Sequence, residues 1–131
     1  LISWSTSKTF KKTIICGDFN IAPYPEHVWS HKQLKNTISH TEIERRKLND
    51  LQKSGFWSDI IKEKIKSTDN LFTWWSYRSK NFKINNRGRR LDHIWISEDL
   101  KKNIIGVKII DYTREWEKPS DHVPIFIEIK F

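Results

Sequence analysis

Asp18 and Asn20 stand two residues apart, directly after the apolar run Ile14-Ile15-Cys16 and a glycine. In a tight turn at the end of a strand, two such side chains can point at one centre. The carboxylate would take a proton from water, and the amide would donate to a phosphate oxygen. The same spacing also makes an ordinary Asx turn. A second cluster, Asp121-His122, joins a group that gives or takes a proton near neutral pH to a hard-oxygen donor suited to a divalent cation. Asp92 lies between Leu91 and the apolar stretch 94–96, where a carboxylate needs a partner to offset its desolvation. His122 is one candidate, since a carboxylate that accepts from one ring nitrogen fixes the tautomer. A plain salt bridge to Arg89 or Arg90 is the other.

The fourth cluster is larger. Arg78, Lys80, Lys83, Arg87, Arg89 and Arg90 fall within residues 78–90, a stretch without an acid, and Trp74, Trp75 and Tyr77 precede them. Cations that hold phosphates, beside aromatics that stack on bases or wedge between them, are the usual pairing for nucleic acid. A solvated, self-repelling loop is the plainer alternative.

These clusters need elements to position them. The run Thr13 to Cys16 reads as a short strand with the continuous apolar character of a buried, parallel-type strand, and Cys16 reads as a buried structural thiol. Residues 41–53 read as a helix: Thr41 and Glu44 have capping-box spacing and Gly55 supplies the stop. Residues 71–77, 91–97 and 104–112 read as strands, with Ser97 capping a short helical stretch that reaches Asn103. Val123, Ile125, Ile127, Ile129 and Phe131 alternate with other residues, the period of a strand with one face more buried than the other. Strands alternating with short helices predict an α/β fold, with the polar clusters gathered at strand ends.

The 131 residues suit one domain or a piece of one, and 37% hydrophobic with 13% aromatic residues excludes disorder as the default. The net charge of +8 fits a polyanionic partner, although abundant lysine also reflects biased composition. A single cysteine excludes an internal disulfide. No stretch reaches the roughly 18 apolar residues of a membrane span. The chain begins with leucine and contains no methionine, which suggests a fragment, a processed chain or a non-standard start.

In order, Gly17-Asp18-Phe19-Asn20, then Trp74 with Tyr77-Arg78-Ser79-Lys80 and Phe82, then Asn86-Arg87-Gly88, Arg90 and Asp92, and finally residues 117–124 with Ser120-Asp121-His122-Val123-Pro124 resemble the endonuclease/exonuclease/phosphatase superfamily. Within it they are most similar to the exonuclease III type of abasic-site nuclease. The resemblance covers nearly the whole chain, 1–131, as the C-terminal portion of one domain. It implies an α/β (α+β) fold, half of a four-layered, two-sheet sandwich of the DNase I-like type. It implies hydrolysis of DNA phosphodiesters, as an abasic-site endonuclease and 3′→5′ exonuclease. Asp18 would orient or deprotonate the attacking water and Asn20 would bind the scissile phosphate. His122, held by Asp92, would stabilise transition-state charge. Mg²⁺ or Mn²⁺ would be held by Asp18, Asn20 and Asp121. Trp74 would pack at the abasic gap, and Tyr77, Arg78, Lys80, Arg87 and Arg90 would contact the DNA.

The implied partners are double-stranded DNA with abasic sites or 3′ ends, and a separate N-terminal half. The implied setting is a bacterial-type cytoplasm, at the nucleoid. One departure is Ser76, where that branch often has an acid. A larger one is the half that carries the principal metal-binding glutamate, which no segment before Asp18 is long enough to hold. The isolated chain is therefore expected to be weakly active or inactive. A non-catalytic DNA-binding remnant and a phosphatase of the same superfamily are the alternatives.

Overall fold

The computed structural model describes all residues except Ser7, Lys8, Ser67, Thr68 and Lys80. Helix α1 (Ile2–Thr6) precedes strand β1 (Ile14–Asp18); α2 (His31–Leu34) and α3 (Glu42–Ser54) lead to β2 (Ser58–Asp59) and α4 (Ile60–Lys64). Then come α5 (Phe82–Asn85), β3 (Asp92–Ile96), β4 (Ile104–Ile109) and β5 (Ile125–Ile129), with single 3₁₀ turns at Pro25–His27, Glu98–Asn103 and Asp111–Glu115. Two antiparallel sheets result, one ordered β1-β3-β2 and the other β4-β5.

Strand β3 is the centre of the molecule because its side chains are useful on both faces. On one face Ile94 and Ile96 join Ile60, Ile61, Leu71, Leu100 and Ile104 in a buried cluster, and Ile125, Ile127 and Ile129 of β5 pack against it. On the other face Trp95 meets Leu48 of α3 and Trp57, with Ile15 and Phe19 beside them. The chain therefore stacks helix, sheet and second sheet. Helix α3 has the expected capping box: Thr41 Oγ1 accepts from the Glu44 N–H while the Glu44 carboxylate accepts from the Thr41 N–H, and Gly55 closes the helix. Helix α3 buries only a narrow stripe, since Ile43 is exposed and Leu48 is its buried residue.

Two expectations need correction. Strand β1 is antiparallel to β3 and mostly exposed, not a buried parallel-type strand, and the Cys16 thiol is exposed. β1 is an edge strand of its sheet, and α3 covers only part of its face. Residues 71–77 form no continuous strand. They run extended between two chains and touch them in single bridges, Trp74 with Arg89 and Trp74 with His122.

Beneath the sheet ends lies a buried polar layer. Arg90, wholly buried, donates to Asp59 Oδ1 at 2.6 Å, and its Nη1 lies 3.2 Å from His27 Nε2. His93 donates from Nε2 to the Ile21 carbonyl at 2.8 Å. Burial and the Arg90 charge pull the His93 pKa from 6.5 down to about 4, and push that of His27 lower still. Both rings are neutral in the folded chain and take up protons on unfolding once pH falls below 6.5. Stability is therefore complete above 6.5 and drains as pH falls towards the folded values. Each histidine contributes a slope of about 1.4 kcal/mol per pH unit. Urea unfolding at pH 7 and pH 5 should show this loss; equal stability at both would contradict the neutral assignment.

Candidate active site

Antiparallel pairing of β1 with β3 sets Asp18 opposite Asp92, so two carboxylates emerge at one end of one sheet. The third group arrives on the chain entering β5. Thr73 is wholly buried and ties the pieces together: its Oγ1 accepts the N–H groups of Leu91 and Asp92 at 3.0 and 3.1 Å, and its carbonyl accepts the Val123 N–H at 2.9 Å. The sequence reading missed Thr73. Its only signal is a hydroxyl set among Phe72, Trp74 and Trp75.

His122 donates from Nδ1 to Asp92 Oδ2 at 2.8 Å, which leaves Nε2 facing Asp18 Oδ2 at 3.8 Å. Asp92 thus pairs with the imidazole and not with Arg89 or Arg90. One ligand atom each from Asp18, Asp92 and His122 lies within 4.8 Å of the others, a group that could hold a metal ion. Asp18 Oδ1 accepts the Asn20 N–H at 2.8 Å, so the Asx turn is real and coexists with the site: it fixes Oδ1 and turns Oδ2 towards His122. Asn20 has a left-handed φ of 54° and an exposed side chain.

Asp121 stands apart from this group. Its Oδ2 accepts from Trp74 Nε1 at 2.9 Å, and its backbone N–H donates to Tyr77 Oη at 3.1 Å. Asp121 Oδ2 thus anchors Trp74, and Asp121 lies outside the group of Asp18, Asp92 and His122 that could hold a metal ion among the described residues. The expectation that Arg90 contacts DNA is corrected: its side chain is wholly buried and paired with Asp59. Tyr77, Arg78 and Arg87 are exposed, with the Arg87 guanidinium 4.8 Å over the Trp29 ring. Lys80 lies outside the described residues. Gly88 permits the close approach of this segment to Phe72, since a Cβ there would come within 2.5 Å of the ring.

The arrangement can hold a water against a carboxylate, with a fixed imidazole on the other side of an incoming phosphate. Hard divalent cations take about six oxygen ligands. Among the described residues the acidic and histidine groups that converge are Asp18, Asp92 and His122, so they fit part of such a shell.

Residues 6–122 match the model of the Endonuclease/Exonuclease/phosphatase family. Exodeoxyribonuclease III of Haemophilus influenzae is 35% identical over 123 residues, covering 89% of this chain and 45% of that protein. An AP endonuclease from Archaeoglobus fulgidus superposes with a TM-score of 0.88 at 27% identity, covering 99% of this chain and 53% of that one. A 3′ phosphatase from Neisseria, bound to a product DNA hairpin, gives 0.83 at 28% identity, covering 92% of this chain and 46% of that one. The chain spans about half the length of the relatives it matches. Among the described residues, no helix is long and apolar enough to cross a membrane.

Proposed function

Because the chain belongs to the endonuclease/exonuclease/phosphatase family, we propose that it is the C-terminal half of a divalent-metal-dependent DNA-repair phosphodiesterase. That enzyme would be an abasic-site endonuclease with 3′→5′ exonuclease activity, acting at the bacterial nucleoid. The observation that carries this reading is the line Asp92–His122–Asp18, with spacings of 2.8 and 3.8 Å, set beside a surface that carries Trp74, Arg78 and Arg87.

Asp92 holds His122 in one tautomer, so Nε2 is the atom presented to the phosphate. With a proton on both nitrogens the ring donates from Nε2 to the phosphate oxygens and balances the negative charge that builds on them. Asp18 Oδ2 orients the attacking water and accepts its proton. Asn20 donates from its amide to a non-bridging oxygen. In-line displacement then breaks the P–O3′ bond, leaving a 5′-phosphate on one piece and a departing 3′-oxygen that takes a proton from solvent to become the 3′-hydroxyl of the other. Mg²⁺ or Mn²⁺, when bound by Asp18 and Asn20, neutralises phosphate charge. Trp74 and Tyr77 pack against the DNA, with Arg78 and Arg87 at its phosphates.

The remaining cation ligands come from the segment that matches the other half of the relatives. That segment would cover the open face and edge of β1, where Ile14 is 39% exposed and an unpaired strand edge invites a partner.

Substrate comparison tests the reading. The chain, complemented by such a segment, is offered an abasic duplex and a soluble phosphoinositide in Mg²⁺. Cutting of the duplex alone, blocked by EDTA, is expected. Release of phosphate from the phosphoinositide alone would make the protein a phosphatase of the same family.

A further inference from the structure

Directly behind Asn20, two buried histidines from other segments each hold one backbone carbonyl. His93, 1% exposed, donates from Nε2 to the Ile21 carbonyl at 2.8 Å. His40, 0% exposed, donates from Nδ1 to the Ala22 carbonyl at 2.6 Å. The Ala22 N–H donates in turn to the Ser39 carbonyl at 2.7 Å. His93 follows Asp92 on β3, and its ring stacks on Phe19 with centroids 5.3 Å apart and planes 14° apart. Phe19 before Asn20, and Ile21 and Ala22 after it, are therefore tied to the central strand and to the segment ahead of α3.

The proton positions follow from the acceptors. A carbonyl only accepts, so the proton sits on Nε2 of His93 and on Nδ1 of His40. His93 Nδ1 is then bare, and it is buried without a partner among the described residues. An apolar side chain would leave no such orphan, so packing alone does not account for a histidine there. His40 Nε2 is left as an acceptor and takes the His31 Nδ1–H at 2.8 Å, which locks the tautomer. Asn20 itself has a left-handed φ of 54°, a conformation that asparagine tolerates and its surroundings must hold. Its N–H is committed to Asp18 Oδ1 and its side chain is exposed. The direction of its amide is thus set by the course of the backbone around it.

We infer that His93 and His40 are positioning residues for the reaction: they fix the backbone at residues 21 and 22, and through it the place where the Asn20 amide meets the phosphate. The inference rests on the role proposed for Asn20 above, and its test separates the two.

Amide side chains test it by their reach. Glutamine places its NH₂ where histidine has Nε2, and asparagine where histidine has Nδ1. His93→Gln and His40→Asn should therefore keep each bond, while His93→Asn and His40→Gln should lose it. One arm follows hydrogen exchange of the Ala22 N–H in this chain alone. Exchange should be faster in each mismatched variant than in its matched one, with the α3 amides unchanged. Equal exchange within each pair overturns the inference.

The other arm is single-turnover cleavage by the chain complemented as above. The mismatched variants should cleave roughly 10- to 100-fold more slowly than the matched ones, the scale of a misplacement of roughly 1 Å, with little change in duplex affinity. In an Asn20→Ala background the difference within each pair should vanish, because the histidines act through Asn20. Equal rates within each pair, or a difference that survives Asn20→Ala, overturns the positioning role. If the wild-type enzyme cuts no DNA, the nuclease reading fails and the catalytic part of the inference with it, while the exchange arm still decides whether the histidines hold the turn.

Discussion

His122→Ala lowers the rate of strand cleavage by about 10²- to 10⁴-fold in the complemented enzyme, with little change in duplex affinity, because the lost interaction exists mainly in the transition state. The geometry makes a sharper statement. Asp92 touches the imidazole at Nδ1, 2.8 Å away, and the other ring nitrogen of His122 faces Asp18 Oδ2 at 3.8 Å. Asp92 therefore acts through His122. Asp92→Ala should lower the rate less than His122→Ala, and adding Asp92→Ala to His122→Ala should change little. Groups that act as a unit are strongly non-additive in this way. Asp18→Ala should abolish cleavage independently, since it removes the acceptor for the water proton. Single-turnover rates for the four variants would read this out. Multiplicative losses for Asp92 and His122 would break the proposed pairing.

Asp59→Ala should cost about 3–5 kcal/mol of stability, the usual penalty for stranding one member of a buried ion pair. Asp59 Oδ1 lies 2.6 Å from Arg90 Nη2, and the side chains are 4% and 0% exposed. No water reaches the guanidinium to replace the carboxylate. The neighbours offer no replacement: His27 and His93 are neutral beside Arg90, and protonating either would only add a second cation. A domain with a typical stability of about 5–15 kcal/mol would lose much of it. Replacing both partners by apolar residues of similar volume should be far less harmful than removing either one. Urea midpoints of the single and double variants test this. A single variant as stable as the wild type would show that the pair is solvated in solution.

Much of this could be read from the chain because the signals are local. The capping box of α3 needs only Thr41 and Glu44, and the alternation of β5 needs only its own residues. The polar clusters were visible because each follows or precedes an apolar run, and the meeting of Asp18 and Asp92 is what pairing β1 with β3 produces, with His122 brought in by the contact of residues 73–74 with the approach to β5. The failures have a different cause. Ile14-Ile15-Cys16 has the composition of a covered strand, but sequence cannot show that little within this chain covers it. Arg90 looks like its neighbours Arg87 and Arg89 until the fold brings Asp59 from another segment. Asp121 reads as a free carboxylate beside His122, and only the packing of residues 71–77 against the β5 approach shows that Trp74 occupies it.

The most direct test mixes this chain with the N-terminal half of the Haemophilus influenzae relative, in Mg²⁺, on a labelled duplex carrying one abasic site. The account predicts incision by the mixture and little by either half, lost in EDTA and lost when this chain carries His122→Ala. Incision that persists with both His122→Ala and Asp18→Ala, or a stable complex of the two halves that never cuts, would contradict it.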